Sequence, residues 1–109
     1  LYFLSNHDLQ ACVDGLYRQT KPGGVFIASM MADSCHFYEH SSPAHDGLRT
    51  VHVDGASDTG PLHINFTASK EELCRRFEPF QRPRAGHYAF SLMEPESSRL
   101  HYLFIGRKV

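Results

Sequence analysis

The chain has 109 residues, with 11 Lys plus Arg against 12 Asp plus Glu and a net charge of −1 with histidine neutral. That length gives one domain with a modest core; the balanced charge leaves no basic stripe for a nucleic-acid backbone, and no apolar run approaches the length of a membrane span, so neither nucleic acid nor membrane is an expected partner. The 3 cysteines, Cys12, Cys35 and Cys74, are odd in number and far apart, which predicts reduced thiols in a cytoplasmic protein, not a disulfide framework.

Residues 1–4, Leu-Tyr-Phe-Leu, read as the end of a buried strand or the turn just past it. The chain opens inside this apolar run without a methionine or a signal-peptide pattern, so it reads as a piece of a longer protein. Ser5 with Asp8 three positions on is a weakened capping box, and Leu9, Cys12, Val13, Leu16 and Tyr17 recur at helical spacing. A helix is therefore expected over 8–19. Lys21-Pro22-Gly23-Gly24 ends it: glycine accepts the left-handed conformation past a helix terminus, and proline beside it prevents continuation. The strand expected over 25–30 is continuously apolar, which predicts cover on both faces, as in a parallel sheet.

Residues 32–61 read as irregular, except for alternation over 48–53; 62–66 alternates again, and the two runs are expected to pair as a hairpin around a turn-rich loop over 54–61. Ser69-Lys70-Glu71-Glu72 is a clean capping box for a helix over 70–77, stopped by Pro79. Strands are expected over 86–92 and 99–108, paired antiparallel, with a polar loop over 94–98.

The helix, the Lys-Pro-Gly-Gly turn and the apolar strand resemble the segment leading into the fifth strand of class I S-adenosylmethionine-dependent methyltransferases, with Thr20 where that family usually has Leu. The ending Leu103-Phe104-Ile105-Gly106-Arg107-Lys108 resembles that family's terminal strand. The resemblance implies an α/β fold: the C-terminal half of a Rossmann-like methyltransferase sheet, filling 1–109. The strands near 25–30, 86–92 and 100–108 would share one sheet, the last antiparallel to the other two, with a loop or hairpin insertion over about 33–67. It implies S-adenosylmethionine as cofactor and a small-molecule O, N or C nucleophile as acceptor. No Gly-x-Gly-x-x-Gly or similar loop occurs, so the main cofactor-binding loop is absent and the remaining N-terminal half of the same protein is an expected partner.

Under the same resemblance, Ser5 and Asn6 border the cofactor, and His7, whose imidazole can serve as a general base, is the catalytic candidate. The alternative for these three is plain helix capping with a solvated imidazole. The segment past the fifth strand would face the acceptor: Phe37 and Tyr38 as walls, His36 and His40 as hydrogen-bond partners, or else a solvated loop. Asn65 and Phe66 are weaker pocket candidates. Lys21-Pro22-Gly23-Gly24 itself precedes its strand and is structural, because ligands of open α/β sheets bind at the carboxyl ends.

His36-Phe37-Tyr38-Glu39-His40 also matches the His-x-x-Glu-His pattern of inverted zinc proteases. Pro43 leaves little room for the long helix that chemistry needs, so no metal is expected and chelators should not affect activity. The 8 histidines are otherwise scattered, with His45, His52, His63, His87 and His101 on strands and loops. Besides methyl transfer, the sequence admits a noncatalytic α/β binding or assembly module and, more remotely, a zinc hydrolase.

Overall fold

Ser5 begins the first helix, α1 (Asn6–Gln19), by accepting the Asp8 amide proton on its hydroxyl at 3.2 Å. Leu9 and Val13 are buried on one face of α1, with Leu16 and Tyr17 partly buried beside them. At its end the Thr20 amide donates back to Leu16 and Tyr17, Gly23 takes φ +83°, and the Gly24 amide closes onto the Lys21 carbonyl at 2.8 Å. The computed structural model describes residues 1–52, 61–90 and 99–109.

Two three-stranded antiparallel sheets follow. The first has β1 (Val25–Met31), β5 (Gln81–Phe90) and β6 (Arg99–Arg107) in the order β1-β6-β5. β6 is antiparallel to both neighbours, with Val25 opposite Arg107 and Met31 opposite His101. The second has β2 (Ser41–His45), β3 (Leu48–Val51) and β4 (Leu62–Asn65) in sequence order. The one-turn helix α2 (His36–Glu39) precedes it, and α3 (Lys70–Arg76) follows, capped by Ser69, whose hydroxyl accepts the Glu72 amide proton at 3.1 Å.

Each sheet carries its own core. Under the first, Leu9, Val13, Met30, Leu73, Phe77, Phe80 and Phe104 form one buried cluster, and Phe26 stacks on Phe80 with centroids 4.3 Å apart. Each such side chain contributes about 1.5–3 kcal/mol of transfer free energy when fully buried. A Cβ at Gly106 would overlap the Phe104 ring and Phe80, so the aromatic layer closes over a bare backbone there. The second core is Met31, Cys35, Val51, Ile64 and Phe66, with Tyr2, Phe37 and Tyr38 packed against it. The end of β1 joins the two: the Thr67 amide donates to Met31 at 2.9 Å and the Asp33 amide to Thr67 at 3.1 Å, around a parallel bridge between Ala32 and Thr67.

The three strands of the first sheet take the neighbours and directions expected for 25–30, 86–92 and 100–108. The fold class is corrected. The molecule is mixed α/β with two small antiparallel sheets, and a Rossmann-like parallel methyltransferase sheet is not what it forms. Among the described residues the only parallel pairing is the single bridge at Ala32 and Thr67. The apolar run of β1 suggested cover on both faces, yet Val25 and Ile27 are 51% and 62% exposed. A run of apolar residues reports burial potential and carries no information about the direction of the neighbouring strand.

Other differences are local. The stretch read as irregular after β1 contains α2 and β2; of the hairpin expected over 48–53 and 62–66, β3 and β4 pair antiparallel as two strands of a three-stranded sheet, and Val53 lies outside the described residues. β5 starts at Gln81, five residues before the expected strand, because Pro83 is tolerated on an edge strand and the register shifts between Gln81 and Arg84. The expected loops over 54–61 and 94–98 and the strand end over 91–92 fall outside the described residues, except Pro61.

Candidate functional site

The carboxyl end of β1, the start of α1 and the end of β4 meet in one place. Asn65 is fully buried there. Its backbone amide donates to Tyr2 at 2.7 Å, and its side-chain Nδ2 donates to the Leu4 carbonyl at 3.0 Å and to Asn6 Oδ1 at 2.9 Å. Two buried acceptors in this junction, Asn65 Oδ1 and Thr67 Oγ1, have no hydrogen-bond partner among the described residues. Orphaned buried polar atoms are uncommon in folded proteins.

The amino end of α1 is closed by the β2–β3 turn. Asp46 and Gly47 both have positive φ, at 46° and 82°, the geometry of a two-residue type I′ hairpin loop. The Asn6 amide donates to the Asp46 carbonyl at 2.9 Å and the His7 amide to Asp46 Oδ2 at 2.9 Å. With Asp8 bonded to the Ser5 hydroxyl and Leu9 to the Ser5 carbonyl, all four leading amides of α1 have partners. A carboxylate here also complements the helix dipole.

The sequence-derived candidates divide accordingly. Ser5 and Asn6 lie at this junction, and both spend polar atoms on internal bonds: the Ser5 hydroxyl on Asp8, and Asn6 Oδ1 on Asn65. His7 is held by its backbone, and its imidazole is exposed. Of the acceptor-side candidates, Tyr38 meets Phe66 edge-on at 5.2 Å and carries the Arg49 guanidinium 4.3 Å above its ring, while Phe37 packs on the same core. His36 is half-buried, its ring 6.2 Å from that of Phe37, and His40 is exposed, its ring 4.5 Å from that of His36. Phe66 is buried in the second core and Asn65 is the central tie of the junction.

Sequence reasoning passed over three participants. Asp46-Gly47 is the strongest short-range hairpin signal and points to the turn that caps α1. Thr67 carries no local signal. Arg76 lies in a groove of about 310 Å³ between α1 and α3, lined by Asn6, Leu9, Gln10, Glu72, Arg75 and Arg76. Its Nη2 meets Glu72 at 3.0 Å, whereas Nη1 is buried without a hydrogen-bond partner among the described residues. Burial lowers the Arg76 guanidinium from its ordinary range, and Glu72 opposes that.

Cys35, at the head of α2, is fully buried, and desolvation pushes its thiol up. All three cysteines are free thiols, and no helix among the described residues is long and apolar enough to cross a membrane.

No protein-family model matches this chain, and no curated protein matches it.

Proposed function

We propose that this chain is part of an S-adenosylmethionine-dependent methyltransferase acting on an O, N or C nucleophile of a small molecule. The observation that carries the reading is the Lys21-Pro22-Gly23-Gly24 turn feeding β1 together with a terminal strand, β6, that returns antiparallel between β1 and β5. These are the strand neighbours that the resemblance implies, although the parallel sheet of that family is not formed by these residues. The net charge of −1 disfavours nucleic acid as acceptor. Three free thiols support a reducing, cytoplasmic setting.

In this reading the junction of Ser5, Asn6 and Asn65 borders the reacting methyl. When bound, the cofactor would supply a methyl group on a sulfonium, whose sulfur keeps the S–C bonding pair and leaves as a neutral thioether. The exposed His7 imidazole, on a backbone fixed by Asp46, takes the acceptor's proton as the new bond forms. His36 and His40 hydrogen-bond a polar acceptor, and the Phe37 and Tyr38 rings stiffen the turn that carries them. The Gly-rich loop and ribose carboxylate lie in the remaining N-terminal half of the same protein. The uncovered Val25 and Ile27 on β1 give that half an apolar surface to pack on.

Calorimetric titration with S-adenosylmethionine and S-adenosylhomocysteine tests this. The full-length protein is expected to bind both saturably, and the 109 residues alone to bind neither, because the contacts that fix the nucleoside are elsewhere. A full-length protein that binds neither overturns the proposal. Micromolar binding by the 109 residues alone shows that the pocket is misplaced.

A further inference from the structure

The single turn of α2 sorts its side chains by chemistry. Phe37 and Tyr38 pack onto the second core. His36, Glu39 and the C-cap His40, at i, i+3 and i+4, fall along one side of the turn by helical spacing. The His36 and His40 rings are 4.5 Å apart, and one ligand atom from each of the three residues lies within 4.8 Å of the other two.

We infer that His36, Glu39 and His40 form a binding site for a late first-row divalent cation, zinc above all. This does not rest on the methyl-transfer reading, in which the same imidazoles face the acceptor; each would ligate through one ring nitrogen and keep the other for a hydrogen bond. Donors around a tetrahedral zinc with bonds of about 2.0–2.1 Å lie roughly 3.3 Å apart, so closing from a spacing of up to 4.8 Å takes at most about 1.5 Å of side-chain movement. Glu39 and His40 are exposed and His36 is half-buried, so nothing in the core has to move. Two imidazoles and a carboxylate suit zinc, cobalt or nickel, whereas magnesium and calcium prefer all-oxygen shells. Three protein ligands leave a fourth position for water.

The neighbouring cation does not compete. Arg49 donates from Nε to Ser41 Oγ at 2.7 Å and lies over Tyr38. The turn also has something to gain. Four residues are far below the length at which a helix is stable by itself, and Cys35 provides no side-chain cap. A cation bridging three positions of one turn holds that turn closed. The sequence reading expected no metal because Pro43 leaves no room for a long helix. A single turn is enough, since all three donors fall within five consecutive residues.

The test is calorimetric titration of the 109-residue chain with zinc chloride and, separately, magnesium chloride, followed by visible absorption of the cobalt(II) form. One saturable zinc site of micromolar affinity is expected, with no magnesium binding and a tetrahedral cobalt spectrum. His36→Asn and His40→Asn should each weaken zinc at least about tenfold, because even outer ligand partners cost that much. Glu39→Gln, which keeps size and shape, should weaken it several-fold, and His87→Asn, on an exposed part of β5, should leave it unchanged. Should either histidine variant lose its far-UV circular dichroism, the other and Glu39→Gln still decide. Wild-type zinc affinity in the folded variants, a loss produced equally by His87→Asn, or absence of saturable binding overturns the site.

Discussion

Asn65 Nδ2 donates to Asn6 Oδ1 at 2.9 Å across 59 positions of sequence, tying the last strand of one sheet to the first turn of the helix that packs on the other. The same amide holds the Leu4 carbonyl. Asn65→Ala removes both bonds and leaves the partly buried Leu4 carbonyl without its donor, so a loss of about 1–3 kcal/mol is expected. Asn6→Ala should cost less, because Asn6 is exposed and its backbone bond to Asp46 survives. Urea midpoints of the two single variants and the double variant check this, and a coupling energy near zero would show that the bond carries no stability.

Gly47 is a second tie in the same junction. Its φ of +82° is costly for any residue with a Cβ, and a Cβ would overlap the Asn6 side chain. Gly47→Ala is therefore expected to destabilise by about 1 kcal/mol or more, and by more than Asp46→Ala, which removes one capping bond worth about 1 kcal/mol. Thermal unfolding of the two variants orders them; the reverse order would mean that the turn is not what positions Asn6.

These ties explain which parts of the molecule are legible from sequence. Ser5 with Asp8 and Ser69 with Glu72 cap their helices as the residue pattern implies, because a capping box is a bond between neighbours. The turn at Gly23 and the strand after it are equally local. β2 escapes the reading because Pro43 and flanking serines lack strand periodicity, and the second sheet recruits them from outside. The antiparallel place of β6 between β1 and β5 is legible only through the resemblance of the chain's ending; the apolar run within 25–31 points to a parallel sheet, because such a run does not record which strand lies beside it. The metal-ligand spacing of His36, Glu39 and His40 is visible in the sequence, whereas the turn that makes it useful is visible only in the fold.

His7 separates structure from chemistry. Its backbone amide caps α1 through Asp46 while its ring is exposed. His7→Gln should keep stability within about 0.5 kcal/mol of the parent. If the proposed methyl transfer holds and the ring is its general base, the same change lowers transfer by the full-length protein by about a hundredfold. Single-turnover rates alongside a melting curve check both halves. A stable variant with undiminished transfer would leave His7 a capping residue only.

Cysteine labelling reads the second core. Cys35 is fully buried at the head of α2, whereas Cys12 and Cys74 are partly exposed. Iodoacetamide on the native chain should modify Cys12 and Cys74 first, and Cys35 only at the rate at which the second core opens. Peptide mass spectrometry over a time course measures this. Early labelling of Cys35 would mean that α2 detaches readily from Phe66 and Val51.

The last expectation concerns the bare side of the first sheet. β6 pairs with one edge of β1, no strand among the described residues pairs with the other, and Ile27 stands 62% exposed beside Val25 at 51%. An apolar edge of this kind templates association unless something covers it. Ile27→Lys places a charge on that surface without touching Phe26 or Ala28, which point into the core. In the 109-residue chain it should reduce self-association while leaving the melting temperature nearly unchanged. In the full-length protein, if the N-terminal half packs there, the same substitution buries an unpaired ammonium and should cost several kcal/mol, since a buried charge without a partner is heavily penalised. Light scattering on the short chain and denaturant unfolding of the long one give the comparison. A full-length protein indifferent to Ile27→Lys would show that no further part of it packs on this surface, and would remove one support for reading this chain as part of a methyltransferase.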